Sequence, residues 1–248
     1  MSDSMALRSE SDNSMANVRL LFLFRHRCLV CNGIITNNLG VCAPCESELP
    51  VLNNYCDLCA EPLAVGMTRC GSCLVKNILY VNTKVQFYYA APVDNLIIKL
   101  KFGHDLTGAR VLGNLLAGYL IQNGIGEKPE IIVPVPLHSY RLRTRGYNQA
   151  LEIARPVAKK LSIPIDRFSV TRVKNTMAQA QLRAKDRAGN VRGAFEVKKS
   201  FNYRHVAIID DVITTGHTIM ELAKTLYRHG VSRIDIWCCA KRSAQVLC

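Results

Sequence analysis

YRHVAIIDDVITTGHTIM, residues 203–220, carries four apolar or small residues, Val206 to Ile209, into two adjacent aspartates, Asp210 and Asp211. Val212 resumes the apolar run, and Thr-Thr-Gly-His-Thr at Thr214–Thr218 opens into a helix-period pattern. The order reads as buried strand, acid pair, anion loop, helix. A run this apolar does not suit a sheet edge, so the acids are expected at the C-terminal tip of a central parallel strand. Side-chain alternation there turns at least one carboxylate into the cleft.

The loop supplies the complementary chemistry. Backbone N–H groups of Thr214–Thr218, the hydroxyls of Thr214, Thr215 and Thr218, and the positive end of the next helix dipole converge on a place for a phosphate. Gly216, just before His217, lets the backbone approach that anion. Two carboxylates beside a phosphate nest suit a ribose 5-phosphate, whose vicinal hydroxyls lie a few atoms from its phosphate. The stretch resembles the phosphoribosyl-pyrophosphate signature of type I phosphoribosyltransferases. An ordinary strand–turn–helix with a threonine cap accounts for the threonines but not for the paired acids.

Eight of the eleven cysteines form four C-x-x-C knuckles, Cys28/Cys31, Cys42/Cys45, Cys56/Cys59 and Cys70/Cys73, recurring every 14 residues. Each knuckle offers two thiolates to one side of a tetrahedron, so two zinc sites of four thiolates are expected. Consecutive knuckles pair most simply, although crossed pairing satisfies the same spacing. Regular C-x-x-C spacing in a reducing cytoplasm argues against disulfides. Four thiolates leave no open coordination position, so the metals are structural. They replace a core that so short a segment cannot build. Cys238 and Cys239 read as small hydrophobes in a last strand, and Cys248 as a free tail thiol.

The 248 residues suffice for one α/β domain and a small module, and 49% hydrophobic against 21% charged residues indicates a globular chain. Net charge is +13. Residues 1–84 are balanced at seven basic and seven acidic, whereas Arg141–Lys199 holds 15 basic against 4 acidic residues. A polyanion, whether pyrophosphate or nucleic acid, suits that surface; so does a simply solvated basic face. No apolar run approaches the roughly 20 residues of a membrane span. LLFLF at Leu20–Phe24 is too short for a signal-peptide core. The expected location is cytoplasmic, with Leu20–Phe24 read as a short helix packed on the next module and, as the alternative, a peripheral foot at the inner face of the membrane.

Along the remainder, Thr83–Ala90 reads as a strand, Asp94–Lys101 as a helix capped by Asp94, Asp105–Gln122 as an amphipathic helix, and Glu130–Pro134 as a buried strand. Lys99 and Lys101 splay about 200° apart on a helix, so one reaches the cleft while the other is solvated. Pro134-Val135-Pro136 stiffens a following loop that carries Arg141, Arg143 and Arg145 at alternate positions. Tyr147–Leu161 continues as a helix, and Arg172–Phe195 loses periodicity. Strands at Ala194–Val197, His205–Ile209 and Ser232–Cys239 flank a helix at Gly216–His229. The alternation predicts an α/β fold, a parallel sheet with helices on both faces. The expected division is a tail at 1–17, a double zinc-ribbon module at 18–82 and the sheet domain at 83–248.

KFGH at Lys101–His104, VPVP at Val133–Pro136, RGYNQA at Arg145–Ala150, the run with Gln179, Leu182, Arg187, Asn190, Gly193 and Phe195, and IDDVITTGHT, together with the knuckles, resemble the ComF/GntX family. That resemblance implies a double zinc ribbon joined to a type I phosphoribosyltransferase-like domain. For competence members it implies natural transformation, acting on incoming single-stranded DNA beside DNA-uptake or helicase machinery.

Residue by residue, the resemblance makes Asp210 and Asp211 the ribose-hydroxyl and magnesium-linked acids and Thr214, Thr215, Gly216, His217 and Thr218 the 5-phosphate loop. Lys101, Pro136 and Arg145 join them around phosphoribosyl pyrophosphate with Mg2+. Arg141, Arg143, Arg183 and Arg187 are the candidate DNA contacts. Tyr147 replaces the family's usual phenylalanine, and His217 stands where a small residue is common and narrows the pocket. Two functions follow: a DNA-handling competence factor that binds phosphoribosyl pyrophosphate, or a catalytically active phosphoribosyltransferase with a small acceptor.

Overall fold

The computed structural model describes residues 26–37, 39–75, 78–80, 82–175, 191–198 and 201–243. The tail at 1–17, Leu20–Phe24, Gln179 to Asn190 with Arg183 and Arg187, and Cys248 lie outside these residues. Contacts divide the chain at Ser47 and Glu48 into two compact units, a boundary inside the 18–82 stretch.

In the first unit β1 (His26–Arg27) pairs antiparallel with β2 (Ile34–Ile35), and α1 (Ala43–Ser47) follows. Cys28 donates its N–H to Gly33 at 2.8 Å, closing the hairpin. Ile35 and Val41 are its buried aliphatic side chains among the described residues. Two such side chains stabilise by only a few kcal/mol, far short of the cost of ordering the backbone.

The second unit is built on a parallel sheet in the order β4 (Ile131–Pro134), β7 (His205–Ile213), β8 (Arg233–Lys241), β3 (Asn82–Tyr88). Ile208 sits between Val133 on β4 and Ile236 on β8, so the central run is buried. On one face Val206, Ile208 and Ile236 share a core with Leu222 and Leu226 of α7 (His217–Tyr227). The alternate residues Ala207, Ile209 and Trp237 are buried too. α6 (Gln149–Leu161) packs on β7 and against α4 (Leu106–Asn123). That crossing is close: a Cβ on Gly113 would lie 2.4 Å from the Ile153 carbonyl oxygen.

Before β3, Gly71–Val75 forms the short α2. After it, α3 (Val93–Phe102) starts at Val93 with Pro92 as cap; Asp94 lies in the first turn rather than capping, where its charge still favours the helix dipole. Asp105 caps α4 by accepting from the Thr107 N–H at 2.9 Å. β5 (Val170–Arg172) and β6 (Phe195–Val197) form an antiparallel pair.

Two further expectations change. β7 does not end before the acids: β4 pairs only as far as Pro134 opposite Ile209, while β8 accompanies β7 to Ile213. Asp210 and Asp211 therefore stand on an overhang past β4, supported from one side. Secondly, the segment after Pro136 is not a loop but helical, α5 (Ser139–Arg145), capped by His138 and ended by Gly146 at φ 81°. On a helix Arg141 and Arg145 share a face and Arg143 points away.

Candidate functional site

Beyond Ile209 the C-terminal ends of β7 and β8, the end of α3 and the inner face of α5 enclose a cleft of about 550 Å³. It gathers Asp210 and Asp211 from the overhang, Thr214 and Thr218 from the loop, Lys101 and Phe102 from α3, Arg141 and Arg145 from α5, Arg172 from β5 and Arg242 after β8. Five cations thus surround two acids.

Asp211 is buried and pairs with Lys101, Oδ2 to Nζ, at 2.9 Å. Burial works against the lysine's charge, but Asp211, and more weakly Asp210, hold its pKa above the usual range. Burial first, and then the neighbouring Asp211, push the Asp210 carboxyl up to about 7. Opposite the acids, burial and the charge of Arg145 depress Arg141, and burial and the charge of Arg141 depress Arg172. Arg145 donates to Gln149 Oε1 at 2.5 Å. Guanidiniums held close enough to oppose one another's charge, in a partly desolvated cleft, are arranged for a polyanion.

Not every residue singled out from the sequence meets there. Thr214 and Thr218 line the cleft, whereas Thr215 Oγ1 and His217 Nδ1 lie 2.9 Å apart beside it. Gly216, at φ +76°, makes the turn into α7. Pro136 faces a neighbouring groove instead, because the proline-rich exit turns successive side chains to opposite sides. Arg141, expected among DNA contacts, belongs with Arg145 in the cleft, and Arg143 is exposed outside it. Lys101, not Lys99, reaches the acids. Arg172 and Arg242 were not singled out. Arg242 was legible in principle, since it directly follows a strand whose C-terminal end borders the site.

The cysteines assemble in consecutive knuckles: Cys28, Cys31, Cys42 and Cys45 form one quartet, Cys56, Cys59, Cys70 and Cys73 the other, with all sulfurs in each within 4.8 Å. Zinc–sulfur bonds of about 2.3 Å give tetrahedral edges of about 3.8 Å. Cys31 and Cys42 sulfurs are 3.7 Å apart and those of Cys59 and Cys70 3.6 Å, so both quartets fit structural zinc. Burial opposes ionisation of Cys28 and Cys70, but hydrogen bonds from neighbouring backbone and, at Cys70, Ser72 bring each down to about 6. Crossed pairing is excluded.

The segment of the second quartet reaches the Thr214–Thr218 loop. Glu61, two residues after Cys59, pairs with Lys241 at 3.2 Å, and Lys241 Nζ donates to the Thr214 carbonyl at 2.6 Å. A Cβ on Gly216 would stand 3.8 Å from the Tyr80 hydroxyl. Tyr80 is itself buried against the quartet, and its pKa is pushed up by burial and then by Cys59, Cys73 and Cys56.

A parallel sheet presenting an acid pair and a Thr-Gly loop at its strands' C-terminal ends, preceded by two thiolate quartets, defines a phosphoribosyltransferase-type domain joined to a zinc ribbon. Residues 20–74 match a double zinc ribbon domain and residues 147–247 a phosphoribosyl transferase domain. The chain is 36% identical to competence protein F of Haemophilus influenzae, over 88% of this chain and 98% of that protein. It is 32% identical to DNA utilization protein YhgH of Escherichia coli K12, over 80% and 89%. The chain belongs to the competence protein F, or ComF, family. Among solved structures it aligns with a purine phosphoribosyltransferase from Pyrococcus horikoshii at 20% identity and TM-score 0.30, covering 52% of this chain and 70% of that one. No helix among the described residues is long and apolar enough to cross a membrane.

Proposed function

We propose that the cleft binds phosphoribosyl pyrophosphate with Mg2+, and that the protein handles single-stranded DNA during DNA uptake. The observation that carries the ligand is the opposition of two carboxylates to five cations across one cleft. In this reading Asp210 and Asp211 hold the ribose hydroxyls and the Thr214–Thr218 loop takes the 5-phosphate. Arg141, Arg145 and Arg172 receive the pyrophosphate. Magnesium bound with it would spread the diphosphate charge. Lys101 pairs with Asp211 within a buried setting.

The DNA role is supported by the relatives, a competence protein and a DNA utilization protein, and by the basic balance of Arg141–Lys199. Calorimetry tests the ligand: Mg2+-phosphoribosyl pyrophosphate should bind the wild type, and Asp210→Asn with Asp211→Asn should abolish binding while leaving the unfolding transition in place. Unchanged affinity sinks the site. Complementing a deletion strain with the same double variant in a transformation assay ties the site to the process.

A transferase reading is favoured by one feature. Phe102, 73% exposed on the rim, offers a stacking face to a base acceptor. Release of pyrophosphate that depends on an added nucleobase or oligonucleotide would establish turnover.

A further inference from the structure

A second groove, about 740 Å³, lies beside the acid cleft. Its floor is apolar, with Val133, Pro134 and Val170, and its walls are the α5–α6 junction and the segment 166–173. Leu137 and Arg172 line both depressions, so the two are contiguous. Apart from Arg172, which the groove shares with the cleft, nothing in the proposed phosphoribosyl-pyrophosphate chemistry uses it.

Its rim combines an aromatic plate with cations. Phe168 is 63% exposed, an unfavourable setting for so large an apolar ring, and the Arg167 guanidinium lies 4.5 Å from its centre. The plate is held up by a local turn, Asp166 Oδ1 accepting from the N–H groups of Phe168 and Ser169 at 2.9 Å each. Arg155 and Lys198 complete the basic rim. The groove's two acids are engaged: Asp166 in that turn, and Glu152 in an ion pair with Arg155 at 3.0 Å. An apolar floor, an exposed ring and a cationic edge are what an unpaired nucleotide needs, since its base stacks while flanking phosphates meet charge. A duplex, with its bases stacked inside, has no use for the ring.

We propose that this groove seats single-stranded DNA, with one base stacked on Phe168 and the flanking phosphates on Arg167 and Lys198. The strand then runs past Arg172 toward the acid cleft. This rests on the DNA-handling reading and gives it a place, which Arg141 does not provide because it lies in the cleft.

The test is fluorescence anisotropy of a labelled oligothymidylate on the zinc-loaded full chain across a salt series, with phosphoribosyl-pyrophosphate calorimetry alongside. Phe168→Ala should weaken binding about tenfold and leave the salt slope unchanged. Lys198→Glu should lower that slope by about one, and Lys159→Glu, outside the groove, should do less. Phosphoribosyl-pyrophosphate affinity should stay at the wild-type value in all three. If the wild type binds the oligonucleotide and both groove variants bind it equally well, the groove is wrong and the DNA reading stands. If the wild type fails to retain it even at low salt, the DNA reading fails and takes the groove with it. Tighter retention of oligouridylate than of oligothymidylate would overturn DNA as the occupant.

Discussion

The two cysteine quartets share one spacing and differ in every surrounding. In the first, Cys28 is buried and Cys31 exposed, beside strands of two residues each. In the second, Cys56, Cys70 and Cys73 are buried in the core that contains Val85, Ile208 and Ile236. Asp57 and Leu58 are laced to Thr83 on β3, the Thr83 N–H donating to the Asp57 carbonyl at 2.7 Å and its hydroxyl to Leu58 at 2.7 Å. Identical motifs therefore serve as a local clip in one unit and as part of the sheet domain's foundation in the other. Knuckle spacing specifies the metal, and the apolar residues around it specify what the metal supports.

The largest expected effect breaks that comparison if it fails. Structural zinc sites contribute about 10 kcal/mol or more of apparent binding free energy to folding. Cys56→Ser with Cys59→Ser should therefore lower the main thermal transition strongly and abolish phosphoribosyl-pyrophosphate binding. Cys28→Ser with Cys31→Ser should halve bound zinc and leave that transition and that binding in place. Equal damage from the two pairs, in calorimetry and metal analysis, would show that the quartets are equivalent.

The same lesson recurs within α5, where equal spacing again hides unequal settings. Arg141→Glu puts a negative charge opposite Asp210 and should reduce phosphoribosyl-pyrophosphate affinity at least about a hundredfold, the scale of losing one charge-assisted contact and adding repulsion. Arg143→Glu, exposed on the far side, should change it less than about twofold. A smaller effect sharpens the link from the second quartet. Glu61→Gln loosens Lys241 beneath the Thr214 carbonyl without touching a cysteine, and because Glu61 is partly exposed the expected loss is about two- to fivefold. Zinc content should not change; if it falls, Glu61 acts through the metal rather than through the loop.

How legible all this was from the sequence depends on distance along the chain. Val206–Ile209, Asp210 with Asp211, and Gly216 specify the strand, the acids on it and the turn locally, and these were readable. The extension of β7 to Ile213 was not, because it depends on β8 outlasting β4. α5 was hidden by two prolines that read as the start of a loop, although Arg141 and Arg145 at i and i+4 before Gly146 carried a helical signal. The tie between Glu61 and Lys241 joins residues far apart in sequence, and no local pattern announces it.

A further effect is confined to the acid cleft and requires no ligand. Asp210 has a folded pKa of about 7 against a reference value of 3.8, raised by burial and by Asp211. The folded chain therefore holds a proton on Asp210 through a window where the unfolded chain has lost it. Stability contributed by that proton is present at the acid end and is lost as pH rises toward 7, with a slope of at most about 1.4 kcal/mol per pH unit. Above that the folded state carries the full cost of ionising the carboxyl beside Asp211. Asp210→Asn removes the titration, so its stability relative to the wild type should increase between pH 5 and 8 in paired denaturant titrations. Cys28→Ser with Cys31→Ser, confined to the first unit, should leave the wild-type slope intact. A slope that survives in Asp210→Asn would place the titrating group elsewhere and remove the acid pair's mutual repulsion as its cause.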